Sequence, residues 1–576
     1  MHAGRHAGRD YGCAHNGCDV GLLTRGLLAC AFTCVNSIAI DAQLVHGTIS
    51  SAVAGGRVPG AVVLLLDSSL ATRARALTSD SGTFTVGAGA PGRFHLKVMR
   101  IGFHPTESPA FDLRMDTTVA LALTDIPVIL PAITTRDRSN CRLHPDASEE
   151  SALTFALWEQ ARTALLAAAI TLEQQDYRFT KLQHWRLYDV RQGAMRDMGL
   201  RESESRGAAP WVSLPAEQLR RDGYVAEDDS GMTFRAPDLD VLLSSYFTEE
   251  HCFRLTTRPA PDPTLVGLAF EPATRPRHVE IRGTLWLDST SKELRRIGFA
   301  FVNLPVSTRS DTLFGGYVDF TRIASGAWIL PSWNIRMPIP VRQAIVGFGP
   351  RVRPSHGAWH LTGNVMRVEG GDLRAVRRGD ASDTVLWRRS TGGVRIFALS
   401  GDSGQAPADG VIVRLAGSPY GGHPDVSGVV RFEQVIPGVY LFEATTPLLD
   451  AIEASLDRVA VTVRPGEVAE DSLRLKPLAQ AAAEACGEHE LDSHTGIIAG
   501  RVWSGDTPIA KARVKLEWVG GDPELDTRAD GYFRICGVPR GKLVLVRASR
   551  DNLMVTATVT LGADEIVHPL TLRLQR

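Results

Sequence analysis

Three short stretches carry residue types capable of chemistry. His104 and Glu107, in "HPTE", have the HxxE spacing of a zinc-ligand pair. His489 and His494, in "HELDSH", approximate a helical HExxH. "GDSG", beginning at Gly401, has the letters found around a serine nucleophile. Each fails a physical test. Pro105 interrupts the first, which lies outside any segment large enough for an α/β peptidase. The histidines of the second are i and i+5, which a helix does not place on one face. The third occupies a turn that needs Gly, Asp and Ser for backbone reasons, and no His and Asp are positioned to complete a triad. No phosphate loop, dinucleotide fingerprint or EF-hand loop occurs. Asp80, Asp425 and Asp530 sit at equivalent turns, which turn stabilisation explains; calcium needs several more oxygen ligands. The expectation is a chain with no catalytic residue, no metal and no cofactor: not an enzyme.

The elements around these stretches repeat. "TSDSGTFTVGAGAPGRFHLKV", "PDVSGVVRFEQVIPGVYLFEA" and "TRADGYFRICGVPRGKLVLV" each carry two punctuating glycines ten residues apart: Gly82 and Gly92, Gly428 and Gly438, Gly531 and Gly541. Gly accepts positive φ and Pro presets φ, so these are turns between strands. In "ARVKLEWV", Ala512, Val514, Leu516 and Trp518 point one way and the charged residues the other, the period of a half-buried strand. Each repeat predicts a small antiparallel sandwich of short strands.

The phrase "GxV…PIxxAxVxL…TxxDGxFxxxxVPxG", best matched by the third repeat, resembles the carboxypeptidase regulatory-like domain, a transthyretin-like Greek-key sandwich. The first and second repeats have Ser81-Gly82 and Ser427-Gly428 for the usual Asp-Gly. The resemblance implies an accessory module, and carbohydrate as the ligand class, because related sandwiches bind starch. Tyr420, Trp503 and Trp518 are the candidate stacking residues for sugar rings; core packing is the plainer expectation for each.

Between the first and second repeats the chain does not repeat. "DASEESALTFALWEQARTALLAAAITLEQQ" predicts one long helix, capped by Asp146 or Ser148 with Glu149 and Glu150 in its first turn. Leu153, Leu157, Ala161, Leu165 and Ala169 mark its apolar face. "HVEIRGTLWLDSTSKELRRIGFAF" predicts a hairpin, and "GGYVDFTRIASGAWILPSWNIRMPIP" another, with Trp328, Leu330, Trp333, Ile335 and Met337 apolar. A helix on a curved antiparallel meander follows. That layout is similar to the half-barrels of periplasmic lipoprotein carriers, and a concave sheet lined by such side chains could hold an apolar ligand; the plain reading is core. "RVEGGDLRAVRRGDASDTVLWRRSTGG" reads as a basic linker or exposed edge.

The N-terminus, "LLTRGLLACAFTCVNSIAIDAQ", pairs Arg25 with an apolar run and a small-residue site near Ala42, the pattern of a secretory signal, with the true start near Val20 or Leu22. Cys30 follows Arg25 too closely for a lipoprotein site. Cys13, Cys18, Cys30 and Cys34 would leave with the signal. Cys141, Cys252, Cys486 and Cys536 remain, and an exported chain suggests disulfides. Of three possible pairings, Cys141–Cys252 and Cys486–Cys536 are favoured because each pair then falls within one proposed domain. A formal net charge of −1 gives no basic field, so nucleic acid is a poor partner. No apolar run is long enough for a transmembrane helix after the N-terminus.

The fold class expected is mainly β and multidomain: three transthyretin-like Greek-key sandwiches plus one α+β domain. The expected boundaries are a signal segment over 1–42, sandwich 1 over 43–133, the middle domain over 134–380, sandwich 2 over 391–476 and sandwich 3 over 495–576. The expected role is a non-catalytic envelope or surface binding and scaffolding protein, periplasmic, outer-membrane-associated or extracellular, with polysaccharide or envelope proteins as partners. The alternatives are a lipid or outer-membrane assembly carrier acting through the middle domain, and an accessory part of a peptidase system.

Overall fold

The computed structural model describes residues 43–575 apart from 127–142, 144–148, 175, 208, 229–230, 257–262, 306–312, 343–358, 402–409 and 488–490. The signal segment, Cys141, the predicted helix caps Asp146 and Ser148, most of "GDSG" and His489 lie outside the described residues.

The chain is mainly β, and its three repeats share one strand order. In the first, Leu44–Ser51 pairs antiparallel with Thr83–Gly87 and parallel with Thr117–Leu123, while Val62–Asp67 pairs with Thr72–Leu77 and Gly92–Met99 in a second sheet. In the second, Gly392–Ser400 pairs antiparallel with Val429–Val435 and parallel with Val468–Leu475. In the third, Thr495–Ser504 does the same with Tyr532–Pro539 and Val567–Arg573. The sandwiches are therefore not wholly antiparallel as predicted. Their first and last strands lie side by side and run the same way, which a Greek-key path permits because a long connection separates them. Between the two sheets of sandwich 3, Ala512, Val514 and Leu516 are fully buried, as their alternation requires.

The middle segment forms a ten-stranded antiparallel sheet. Its order runs Ala194–Ser205, Tyr177–Asp189, Trp359–Arg378, Ser332–Arg342, Gly315–Asp319, Leu294–Val302, Glu280–Asp288, Leu265–Pro272, His251–Leu255, with Val385–Arg388 also on Trp359–Arg378. The predicted linker is thus corrected: its first part, 367–378, is the end of a long central strand, and Val385–Arg388 pairs back on that strand. Its charges obscured the buried Val368, Leu373, Ala375 and Val376 that hold it inside.

The helix Glu149–Glu173 crosses one face of this sheet. Leu157, Ala161, Leu165 and Ala169 are buried as predicted, but so are Trp158, Ala164, Ala168 and Ile170 around the rest of the helix. The second covering layer is sandwich 1, whose Val62, Leu64, Leu66, Met99 and Ile101 belong to the same core. A helix hydrophobic all round is one packed on two sides. Gly60 and Gly326 meet at this seam; a Cβ on Gly60 would lie 2.4 Å from the Gly326 carbonyl oxygen. Sandwich 3 packs in turn on sandwich 2 through Pro447–Ala451 and Leu478–Cys486, with Leu449, Ile452, Ala481 and Ala482 buried against Ile497, Ala499 and Val567.

Candidate ligand-binding site

The helix covers the half of the sheet around His251–Leu255 to Leu294–Val302 and leaves the other half of that face to a different cover. Strand register decides which side chains project there. Trp185 opposes Gly199 on one side and Glu369 on the other; Trp333 and Gln183 both oppose Gly371; Met337 opposes Arg367. Two glycines shape this floor. A Cβ on Gly199 would sit 2.2 Å from Trp185 Nε1, and one on Gly371 would sit 2.3 Å from Trp333 Cζ2. Each indole therefore lies across a neighbouring strand where only glycine leaves room.

Above the floor runs the excursion between Ala194–Ser205 and His251–Leu255. Trp211 reaches down from it, its indole N–H donating to the Pro237 carbonyl at 3.1 Å and its ring edge-on to Phe299 at 6.4 Å. The hairpin Val225–Asp228 and Gly231–Phe234 adds Phe234, 5.8 Å from Phe301. Between floor and cover lies a cavity of about 670 Å³, within the size range of small-molecule sites. Three arginines, Arg201, Arg235 and Arg367, line it. Arg367 lies 5.3 Å from the Trp185 ring centroid and donates to Glu369 at 2.7 Å. Arg201 and Arg235 form no ion pair among the described residues, and Arg235 Nε is buried without a hydrogen-bond partner. A second cavity of about 210 Å³ adjoins, lined by Leu172, Leu242, Val318, Phe320 and Leu330; Pro210, Trp211 and Val212 line both.

The opposite face of the same strands is occupied. Sandwich 2 packs there: a Cβ on Gly417 would lie 1.9 Å from the Met198 carbonyl oxygen, and Met198 is fully buried in the core of sandwich 2. Beneath it, His184 Nε2 is 3.4 Å from Asp372 Oδ2, Arg389 is 3.4 Å from the same carboxylate, and Arg186 lies 5.8 Å from the Tyr440 ring centroid. Burial pushes the His184 pKa down, against the pull of Asp372. Burial opposes the Asp372 carboxylate, yet His184 and Arg389 hold it below its ordinary value. This buried network fastens two layers together and leaves no room for a ligand.

The turn residues divide into two sets. The amides of Gly82, Gly428 and Gly531 donate to the carbonyls of Ser79, Asp425 and Arg528, and their own carbonyls accept from Ile49, Ala398 and Val502. All three have positive φ. This turn is the same in every repeat. The second glycine is not: Gly92 and Gly438 begin strands, whereas Gly541 sits in a turn at φ 69°. The acids also differ in place. Asp425 is the first residue of its turn and accepts from the Ser427 hydroxyl, Arg431 and the Val429 and Ser427 amides, which together hold its pKa far down. Asp530 is the third, paired with Arg528. Among the described residues no group of three His, Cys, Asp or Glu is placed to hold a metal.

The three candidate stacking aromatics are not brought together. Tyr420 is 40 % exposed but faces the middle sheet, its hydroxyl 3.5 Å from Glu202. Trp503 and Trp518 stand in opposite sheets of sandwich 3, and Trp518 packs on that core with its ring against Gly521. Cys486 and Cys536 form a disulfide with a Cα separation of 5.9 Å. Cys486 ends the helix before sandwich 3, so the bond ties a connecting helix to a sandwich strand rather than lying within one sandwich. Cys252 is also disulfide-bonded.

The side chains of the cavity went unread in the sequence. Of its floor only Trp333, Ile335 and Met337 stood out, as apolar strand residues; Trp185, Trp211 and the two free arginines carry no motif. The one available signal was Gly370-Gly371 inside a strand-length stretch, a mark of close approach by another group.

Comparison with known proteins bears on the sandwiches. Residues 45–124 match the family model of the carboxypeptidase regulatory-like domain. This carboxypeptidase regulatory-like domain is sandwich 1, the one that packs on the long helix. No curated protein matches the sequence. Among solved structures, the streptococcal ancillary pilin is similar at 12 % identity over 37 % of this chain and 78 % of its own, with a TM-score of 0.14. The TIE protein of Bacillus anthracis has 10 % identity over 69 % and 83 %, with a TM-score of 0.14. The major pilin subunit of Bacillus cereus has 7 % identity over 93 % and 99 %, with a TM-score of 0.14. No helix among the described residues is long and apolar enough to cross a membrane.

Proposed function

We propose that this chain is a non-catalytic binding protein of the cell envelope, in which the middle sheet holds a ligand and the three sandwiches form the frame around it. The observation that carries this reading is the cavity of about 670 Å³ under Trp211 and Phe234, floored by Trp185 and Trp333. The cleft has apolar side chains on both floor and cover and is open on one side, the form of a small-molecule site. Here glycines at 199 and 371 make way for the indoles, and Trp333 and Ile335 run from the cavity floor into the hydrophobic core under the helix. The frame is held by the seam of sandwich 1 on the helix, the buried network under sandwich 2, and the contact of sandwich 3 on sandwich 2. An envelope location accords with the signal-like N-terminus and the disulfide.

The test is displacement of an uncharged apolar fluorophore from the full chain. Saturable binding at one site, lost in Trp333→Ala and retained in Trp503→Ala, is expected. Binding unaffected by Trp333→Ala but lost in Trp503→Ala or Trp518→Ala would move the site to the sandwiches. A glycan array run alongside tests carbohydrate, the class implied by the sandwich resemblance; glycan binding abolished by Tyr420→Ala, Trp503→Ala or Trp518→Ala would replace the present reading.

A further inference from the structure

The cavity is not uniformly apolar, and its polarity has a direction. We infer that its ligand is an amphipathic anion, a hydrocarbon body ending in a carboxylate or phosphate, bound with the anionic group at Arg201 and Arg235 and the hydrocarbon over the indole floor toward the smaller cavity. This rests on the reading of the cavity as a ligand site.

Three observations point the same way. First, two arginines line the cavity without a carboxylate partner, and one has its Nε buried with no acceptor. A buried donor left unsatisfied is costly, and planar guanidinium forks match carboxylate and phosphate oxygens. Arg367, by contrast, is already committed to Glu369 and Trp185. Second, the surfaces between are those that accept hydrocarbon: Trp185, Trp333, Ile335, Met337 and Phe234. Val212, at the rim shared by both cavities, is 86 % exposed, an apolar side chain with nothing covering it. Third, the far end repels an anion. The smaller cavity is lined by apolar side chains together with Glu173, Asp238 and Asp240. Asp238 is engaged there as a helix cap, accepting from the Val241 and Ser213 amides at 2.9 and 2.8 Å. An acidic end and a basic end on one apolar trough admit a single orientation for such a ligand.

The experiment compares palmitate, hexadecanol and phosphatidylglycerol vesicles on the full chain, by calorimetry for the first two and by co-elution of extracted lipid for the third. Palmitate is expected to bind at one saturable site. Arg201→Gln and Arg235→Gln are expected to weaken palmitate about tenfold each, the scale of one charge-assisted hydrogen bond, and to leave hexadecanol unchanged. Arg201 is exposed and Arg235 half-buried, and circular dichroism of each variant checks that it folds. Equal binding of acid and alcohol, insensitive to both substitutions, would overturn the head-group assignment while leaving the cavity as an apolar site. No binding of either, in a protein that also fails to bind the uncharged fluorophore, would remove the cavity reading itself. Extraction of phosphatidylglycerol without palmitate binding identifies the head as a lipid phosphate; palmitate binding alone identifies a free acid; both support the inference.

Discussion

His251 Nε2 and Glu280 Oε1 stand 3.9 Å apart at the helix-covered end of the middle sheet, and burial favours the uncharged form of each. Burial pushes the imidazole down to about 4, despite its contacts with the Phe247 and Ile281 carbonyls. Burial pushes the carboxyl up to about 7, although the Tyr246 hydroxyl donates to it at 2.8 Å. Glu250 adds to the upward push. Between about pH 4 and pH 7 this is a neutral pair packed among Phe247, Phe253 and Phe270, not an ion pair.

The two shifts oppose each other in stability. Glu280 keeps its proton to about pH 7 in the fold but only to about 4.5 when unfolded; its contribution is whole below 4.5 and is lost as pH rises toward 7. His251 takes up a proton near 4 in the fold but near 6.5 when unfolded; its contribution is whole above 6.5 and is lost as pH falls toward 4. At ~1.4 kcal/mol per pKa unit, each is worth about 3 kcal/mol. Urea denaturation followed by tryptophan fluorescence should find the middle domain nearly level between pH 4.5 and 6.5. Glu280→Gln should lose stability on acidification across that window, and His251→Gln on alkalinisation. Identical slopes in all three proteins would refute the compensation.

The Cys486–Cys536 disulfide closes a 50-residue separation in sequence. On loop-closure entropy alone such a bond contributes about 4 kcal/mol. It also anchors Leu478–Cys486, whose Ala481 and Ala482 fill the junction between sandwiches 2 and 3. Cys486→Ser should therefore lower the melting temperature of sandwich 3 and open the helix Leu478–Cys486 to protease, while leaving sandwich 1 unchanged. A protease pattern identical to the wild type would show that the junction holds without the bond.

The repeats were legible because turns advertise themselves: Gly82, Gly428 and Gly531 need positive φ, and residues of that kind recur at fixed offsets. The parallel closing strands were not, since nothing local in Val468–Leu475 states which way its neighbour runs. The long helix was legible as a helix but not as a doubly covered one, because the second layer comes from sandwich 1, far away in sequence. The cavity was the least legible part. Trp185 and Gly199, or Trp333 and Gly371, become partners only through strand register. A charged stretch such as "RVEGGDLRAVRR" looks solvated until Asp372 is seen buried beside His184 and Arg389.

The shared turn and the divergent one give a paired test. Gly531 has φ 74° and a Cβ there would lie 2.6 Å from the Val502 carbonyl oxygen, whereas Gly541 has φ 69° with nothing within 4 Å. Left-handed backbone costs a non-glycine residue about 1–2 kcal/mol. Gly541→Ala should incur that cost alone. Gly531→Ala should cost more, because the strand Thr495–Ser504 must also shift away from the new methyl group. Calorimetric melting of the two variants ranks them; equal losses would mean the Gly531 contact relaxes freely.

The indole floor can be disturbed without touching any side chain of the cavity. Gly371 is opposite Trp333 in the sheet, and a methyl group there would press on the ring at 2.3 Å. Trp333 is 4 % exposed and belongs to both the cavity wall and the main core, so the ring has little room to retreat on its buried side. It must tilt upward into the cavity, reducing the volume under Trp211. Gly371→Ala should thus destabilise the middle domain by about 1–3 kcal/mol, the usual cost of overpacking, and weaken an uncharged apolar probe more than Gly298→Ala. Gly298 is the control because it lies on the same sheet with open space where its Cβ would be. Loss of stability with unchanged probe binding would mean the ring yields into the core, and that the cavity floor is set by Trp185 over Gly199 instead.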